Sequence, residues 1–127
     1  MRYMEPGIDQ DTQILLQFAE EEALVRTIWA LTPEQKKSHL FKQLGEQRYL
    51  SALRAGGTAN AEMTKEAFKM DPYFLKSKVV SDAARIGFKL QVERGHIEVA
   101  KRMKETMHLD DETLPEDLAG TTENKHA

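Results

Sequence analysis

The chain contains no cysteine. Disulfide frameworks, zinc–thiolate sites and cysteine nucleophiles are therefore excluded, and stability has to come from packing or association. The same absence fits a reducing compartment. No stretch approaches the roughly 20 consecutive apolar residues that a bilayer span requires, and Met1-Arg2-Tyr3-Met4-Glu5-Pro6 offers no apolar signal core. A cytoplasmic chain with no membrane partner is expected. Also missing is strict apolar/polar alternation between turn residues, the mark of a half-buried strand. No nucleophile-elbow pattern occurs, no glycine-rich loop precedes a helix with phosphate-binding spacing, and His39, His96, His108 and His126 fall in separate segments. No catalytic residue and no cofactor is assigned, and the chain is expected not to be an enzyme. No internal repeat is visible.

What is present is charge sorted into blocks. Residues 1–31 carry two basic and six acidic side chains, residues 32–104 fifteen and eight, and residues 105–127 one and seven, so a formal net charge of −3 covers a basic body between acidic ends. Such a body attracts polyanions or an acidic protein surface, and a covalently attached acidic tail competes for the same patch. A length of 127 residues fits one domain. The expected division is a single all-α domain over 1–108 and an acidic tail over 109–127, whose composition does not offset the entropy of ordering it. Leu114 and Leu118 in that tail suit one short docking turn.

Helical spacing fills the body, and a small bundle of about four helices is predicted. The first runs from Asp9 or Asp11 to about Leu31, with Ile14, Phe18, Val25, Ile28 and Trp29 at helical intervals and Glu20-Glu21-Glu22 interrupting them. Thr32-Pro33-Glu34-Gln35 is the clearest start signal: a threonine cap, proline at the first helical position and glutamine three residues after the cap. The second helix starts there and stops at Gly56-Gly57. A third spans about Asn60 to Met70, and Asp71-Pro72 starts a fourth. Between Thr58 and Asp71 lie twelve residues, too few for the two short helices of a helix-turn-helix unit.

The fourth helix is expected to run from Pro72 to about His108 with a heptad pattern, a break at Gly95 being the alternative. Val79, Ala83, Ile86, Leu90, Ile97, Ala100 and Met107 form its apolar seam, with Glu93 and Lys104 as polar members. The seam predicts a homo-oligomer. Beside it, Lys78, Arg85 and Lys89 share a face with His96, and with Lys101 and Arg102 they make the candidate surface for nucleic acid or an acidic protein. Asp82 stands within reach of Lys78 and Arg85, so a solvated ladder of ion pairs is the plainer reading of that stripe. Glu93-Arg94-Gly95-His96 places a carboxylate and an imidazole three residues apart, the pair used in di-metal carboxylate bundles, with Glu21 or Glu22 as further ligands. The expectation drawn from all this is a macromolecular binding or regulatory module. A pure protein–protein adaptor or inhibitor is the alternative, and a di-metal bundle using Glu93 and His96 is a distant third.

Overall fold

The computed structural model describes residues 6–114. Every regular element among them is helical, as the missing alternation predicts: α1 Gln10–Phe18, α2 Glu21–Trp29, α3 Pro33–Lys36, α4 His39–Arg54, α5 Thr58–Phe68, α6 Pro72–Leu75, α7 Lys78–Glu93 and α8 Ile97–Thr106. The fold is thus all-α, but three expected helices are divided, the second of them at Lys37 and Ser38 between α3 and α4. The first breaks at Ala19 and Glu20, which are extended. The break puts Glu21 and Glu22 in the first turn of α2, exposed and facing the positive end of its dipole, where a continuous helix would carry one of the three glutamates toward the core.

The long fourth helix is likewise replaced by α6, α7 and α8. Ser77 is extended ahead of α7, and Gly95 turns the chain between α7 and α8 at φ 77°. That left-handed conformation suits glycine and ends a helix. The heptad seam does not survive the turn. Ala83 and Ala100 are buried in the chain's own core, Leu90, Ile97 and Met107 are half-buried, and Val79 and Ile86 are exposed.

An internal repeat, not visible in the order of residues, is plain in the backbone. The backbone pattern of residues 32–70 recurs 39 positions later. Thr32-Pro33 and Asp71-Pro72 cap and open the short helices α3 and α6. Ser38 and Ser77 are extended at the start of α4 and α7, and each hydroxyl donates to a carbonyl three residues back. The helices α4 and α7 both have 16 residues. Gly56 and Gly95 follow them at φ 78° and 77°, and α5 and α8 end on Lys69 and His108, both left-handed at φ 51° and 55°. Because the two units match in caps and turns while their side chains differ, residue identity hides the period.

The α1–α2 pair is a shorter version of the same unit, and the three pairs stack. The helix α4 lies between α1 and α7, and α2 packs on α5. Gln35 donates to the Gly7 carbonyl at one end of α1 and Gln17 to Gln47 at the other, so α1 and α4 run parallel. Each junction has its own core. Ile8, Leu16, Leu24, Ile28, Leu31, Phe41, Leu44 and Phe68 fill the first. Tyr49, Leu53, Val80, Ala84, Phe88, Ala100 and Met103 fill much of the second, joined by Leu109 and Leu114. Burial at about 25 cal/mol per Å² of apolar surface makes these two cores the main source of stability.

The tail begins in contact with the body. Leu109 and Leu114 are buried, and Arg85 reaches Asp111 at 2.9 Å and Glu112 at 3.5 Å. The remainder of the expected tail, including Leu118, lies outside the described residues.

Candidate interaction surface

The turn that ends each long helix needs partners for its last carbonyl groups, and at both junctions the next unit supplies them. Arg48, on α4, is buried and donates to the carbonyls of Leu16 at 3.2 Å and Ala19 at 2.6 Å, and to Thr64 Oγ1 at 3.1 Å. Burial pulls its guanidinium below the ordinary arginine value, and no carboxylate pairs with it within 4.0 Å among the described residues. The negative end of α1 takes that role. Gln91, on α7, donates to the Gly56 carbonyl at 3.1 Å, and its Oε1 accepts from His96 Nδ1 at 2.8 Å. The second junction is closer than the first. At Gly87, the position equivalent to Arg48, an added Cβ would sit 1.8 Å from the Leu53 carbonyl oxygen.

These junctions fix the register of α1, α4 and α7, and with it the surface they share. Counting back from the last residue of each helix by zero, three, four and seven gives one stripe per helix: Phe18, Leu15, Ile14 and Asp11; Arg54, Ser51, Leu50 and Gln47; Glu93, Leu90, Lys89 and Ile86. Leu50 and Leu90 are half-buried and the other ten are exposed. The stripes therefore form one open face, three helices wide. Its apolar content is concentrated at the two ends, where Phe18 is 77% exposed and Ile86 54%. Between α1 and α4 the face dips into an open groove of about 550 Å³ bordered by Phe18, Leu50, Arg54 and Asn60.

A second groove of about 550 Å³ opens where the units join, at the far ends of α2 and α5. Val25, Ile28, Phe41 and Phe68 line it, and Trp29, 81% exposed, stands at its edge with Lys36, Lys37 and Lys69.

The basic stripe expected from the sequence is dispersed. Lys78 pairs with Asp82 at 3.0 Å, and Arg85 is held by Asp111, Glu112 and the Ser81 hydroxyl. Hydrogen bonding to Arg85 keeps the Asp111 carboxyl below the ordinary value, and the same contact raises Arg85. Lys89 is exposed on α7, while Lys101 and Arg102 are exposed on α8, a separate helix. The plainer reading, a ladder through Asp82, describes the first half of the stripe. Glu93 ends α7 and His96 precedes α8, so the two do not share a helix face, and Glu21 and Glu22 belong to the first unit. Among the described residues no group of three or more His, Asp or Glu side chains is placed to hold a metal ion, and no helix is long and apolar enough to cross a membrane.

Sequence reasoning passed over Arg48, Gln91 and the open face. The available signals were Pro33 and Pro72, the Lys-Ser pairs at 37–38 and 76–77, and Gly56 and Gly95, all at one spacing. Architecturally the chain is a short stack of helix-pair repeats, in which each unit contacts its neighbours and the parallel helices present an extended binding surface. No protein-family model, curated protein or solved structure matches it.

Proposed function

We propose that this protein is a non-enzymatic protein-binding module, an adaptor that presents the open face of α1, α4 and α7 to a macromolecular partner. The carrying observation is the uncovered apolar surface at the two ends of that face, Ile14, Leu15 and Phe18 on α1 and Ile86 on α7. Exposed Ile, Leu and Phe grouped on one open face mark a site of contact. Fixed helices add a further advantage, because a rigid surface loses little conformational entropy when it binds.

The nucleic-acid reading moves to a different place. Pairing of Lys78 and Arg85 with acidic neighbours weakens the stripe as a phosphate track, whereas an exposed indole beside Lys36, Lys37 and Lys69 is the combination on which a single-stranded base stacks. Trp29 is the chain's single tryptophan, so its emission reports on that groove directly.

One experiment separates the two. The photo-crosslinking residue p-benzoylphenylalanine is placed at position 18, or at the exposed control position Glu105, in the native cell. The adaptor reading predicts a discrete protein adduct from position 18 that is absent from position 105 and lost when Ile86→Asp is added. Labelled single- and double-stranded oligonucleotides are titrated in parallel, with anisotropy and Trp29 emission recorded at low and physiological salt. Oligonucleotide binding that quenches Trp29, without a protein adduct, would overturn the adaptor in favour of nucleic acid.

A further inference from the structure

We infer that the partner on the open face is a second copy of this chain, packed face to face about a two-fold axis parallel to the helices, so that α1 of each copy covers α7 of the other. This rests on the reading of that face as an interaction surface.

The argument begins with size. The 16-residue helices α4 and α7 are about 24 Å long and the nine-residue α1 about 14 Å, and at a spacing of about 9 Å the three give a face of roughly 550 Å². That approaches the ~800 Å² per partner of a standard protein interface. The face is also self-complementary in its apolar parts. Its two apolar ends, Ile14-Leu15-Phe18 on α1 and Ile86-Leu90 on α7, lie on either side of the more polar central stripe Gln47-Leu50-Ser51-Arg54. A two-fold axis along the central helix superposes each apolar end on the other and brings the central stripes together. An interface of this closed kind uses one patch twice and stops at two copies.

Charge then selects between the possible axes. The first unit is acidic: Asp11 lies on the face, and Glu20, Glu21 and Glu22 are exposed at the rim where α1 ends. On the same face and rim the last unit exposes Lys89 and Arg94 with a single carboxylate, Glu93, between them, and is net basic there. An axis across the helices would set α1 antiparallel against α1, so that Asp11 of each acidic unit lies toward the acidic rim of the other. An axis along the helices sets the acidic rim against the basic one, twice. Opposite charges across an interface fix orientation and suppress the wrong pairing. The blockwise sorting of charge along the sequence thereby becomes a sorting by position in the stack.

Sedimentation velocity of the full chain over a concentration series tests the proposal. The expected result is a species of twice 14.5 kDa. Phe18→Asp, which alters an exposed residue, is expected to weaken the association by about 30-fold or more with unchanged circular dichroism. K89E/R94E, and separately D11K/E21K/E22K, should each sediment as monomers, and an equimolar mixture of the two should recover the dimer. Dimers that persist in each charge variant alone would overturn the proposed axis. A monomer across the whole series would overturn self-association. In that event a heterologous protein adduct from position 18 leaves the adaptor reading standing, whereas no adduct at all removes both.

Discussion

Arg48 concentrates much of the chain's physical logic in one side chain. Buried arginine is uncommon unless paired, and here its partners are neutral: two carbonyls at the end of α1, the Thr64 hydroxyl and Asn60. The charge is balanced by a helix terminus, which concentrates partial negative charge within its last turn. Removing the guanidinium strands those carbonyls between two helices. Arg48→Ala is expected to lower stability by about 2–4 kcal/mol, since each buried unsatisfied group costs roughly 1–3 kcal/mol and the cavity adds to it. Thermal denaturation checks this, and a loss under 1 kcal/mol would mean that water replaces the side chain. Gly87, one repeat later, shows the opposite solution, in which the helices approach until no side chain fits between them.

At the scale of elements, the segment after α8 behaves as a latch. Leu109 and Leu114 enter the core of the second junction while Asp111 and Glu112 meet Arg85 on the surface. Asp111 titrates below the ordinary carboxylate value of 3.8 when the segment is docked. Its contact with Arg85 is therefore at full strength from neutral pH down to about that value, and is lost as the pH falls further through the lowered one. Amide exchange of Leu114, measured by NMR and normalised to the intrinsic rate, is expected to accelerate below pH 3.8 while core amides of α7 stay protected. Arg85→Met should produce the same local acceleration at neutral pH. Because Asp111 is exposed and Arg85 only half-buried, raising the salt concentration should weaken the latch too.

The division into two cores governs the molecule as a whole. Since the first junction and the second share few residues, they are expected to open with different free energies. Native-state hydrogen exchange in mild denaturant should resolve two groups of amides. Those of α1 and α2 should exchange through a smaller opening, because that unit is shorter and is held at one junction only. A single isotherm for all slow amides would show that the stack unfolds as one body.

How much of this was legible in the sequence follows from where the information lies. Helical class, the Thr32 cap, the Asp71-Pro72 start and the stop at Gly56-Gly57 are local signals and could be read directly. The breaks at Ala19–Glu20 and around Ser38 and Ser77 were missed, because no glycine marks them and apolar spacing continues across each one. The heptad pattern of 79–107 misled for the same reason. It is the sum of two helices that face each other across Gly95, so some seam residues fill the chain's own core and others, such as Ile86, point to solvent. The candidate basic surface depended on exposure and on the path of the acidic segment after α8, and neither is written in spacing. Arg48 was passed over because nothing adjacent in sequence tells a capping arginine from a solvated one.

Parallel helices whose ends recur 36 and then 39 residues apart also make the protein a ruler. Its length along the stacking direction is a count of units, unlike that of a closed bundle whose diameter is settled once its helices meet. Inserting another whole unit would lengthen the open face by one stripe and leave every existing junction in register. Inserting half a unit would invert the direction of the chain and destroy the face. Variation in such a lineage is thus quantised, and its ligand surface can be extended without being redesigned.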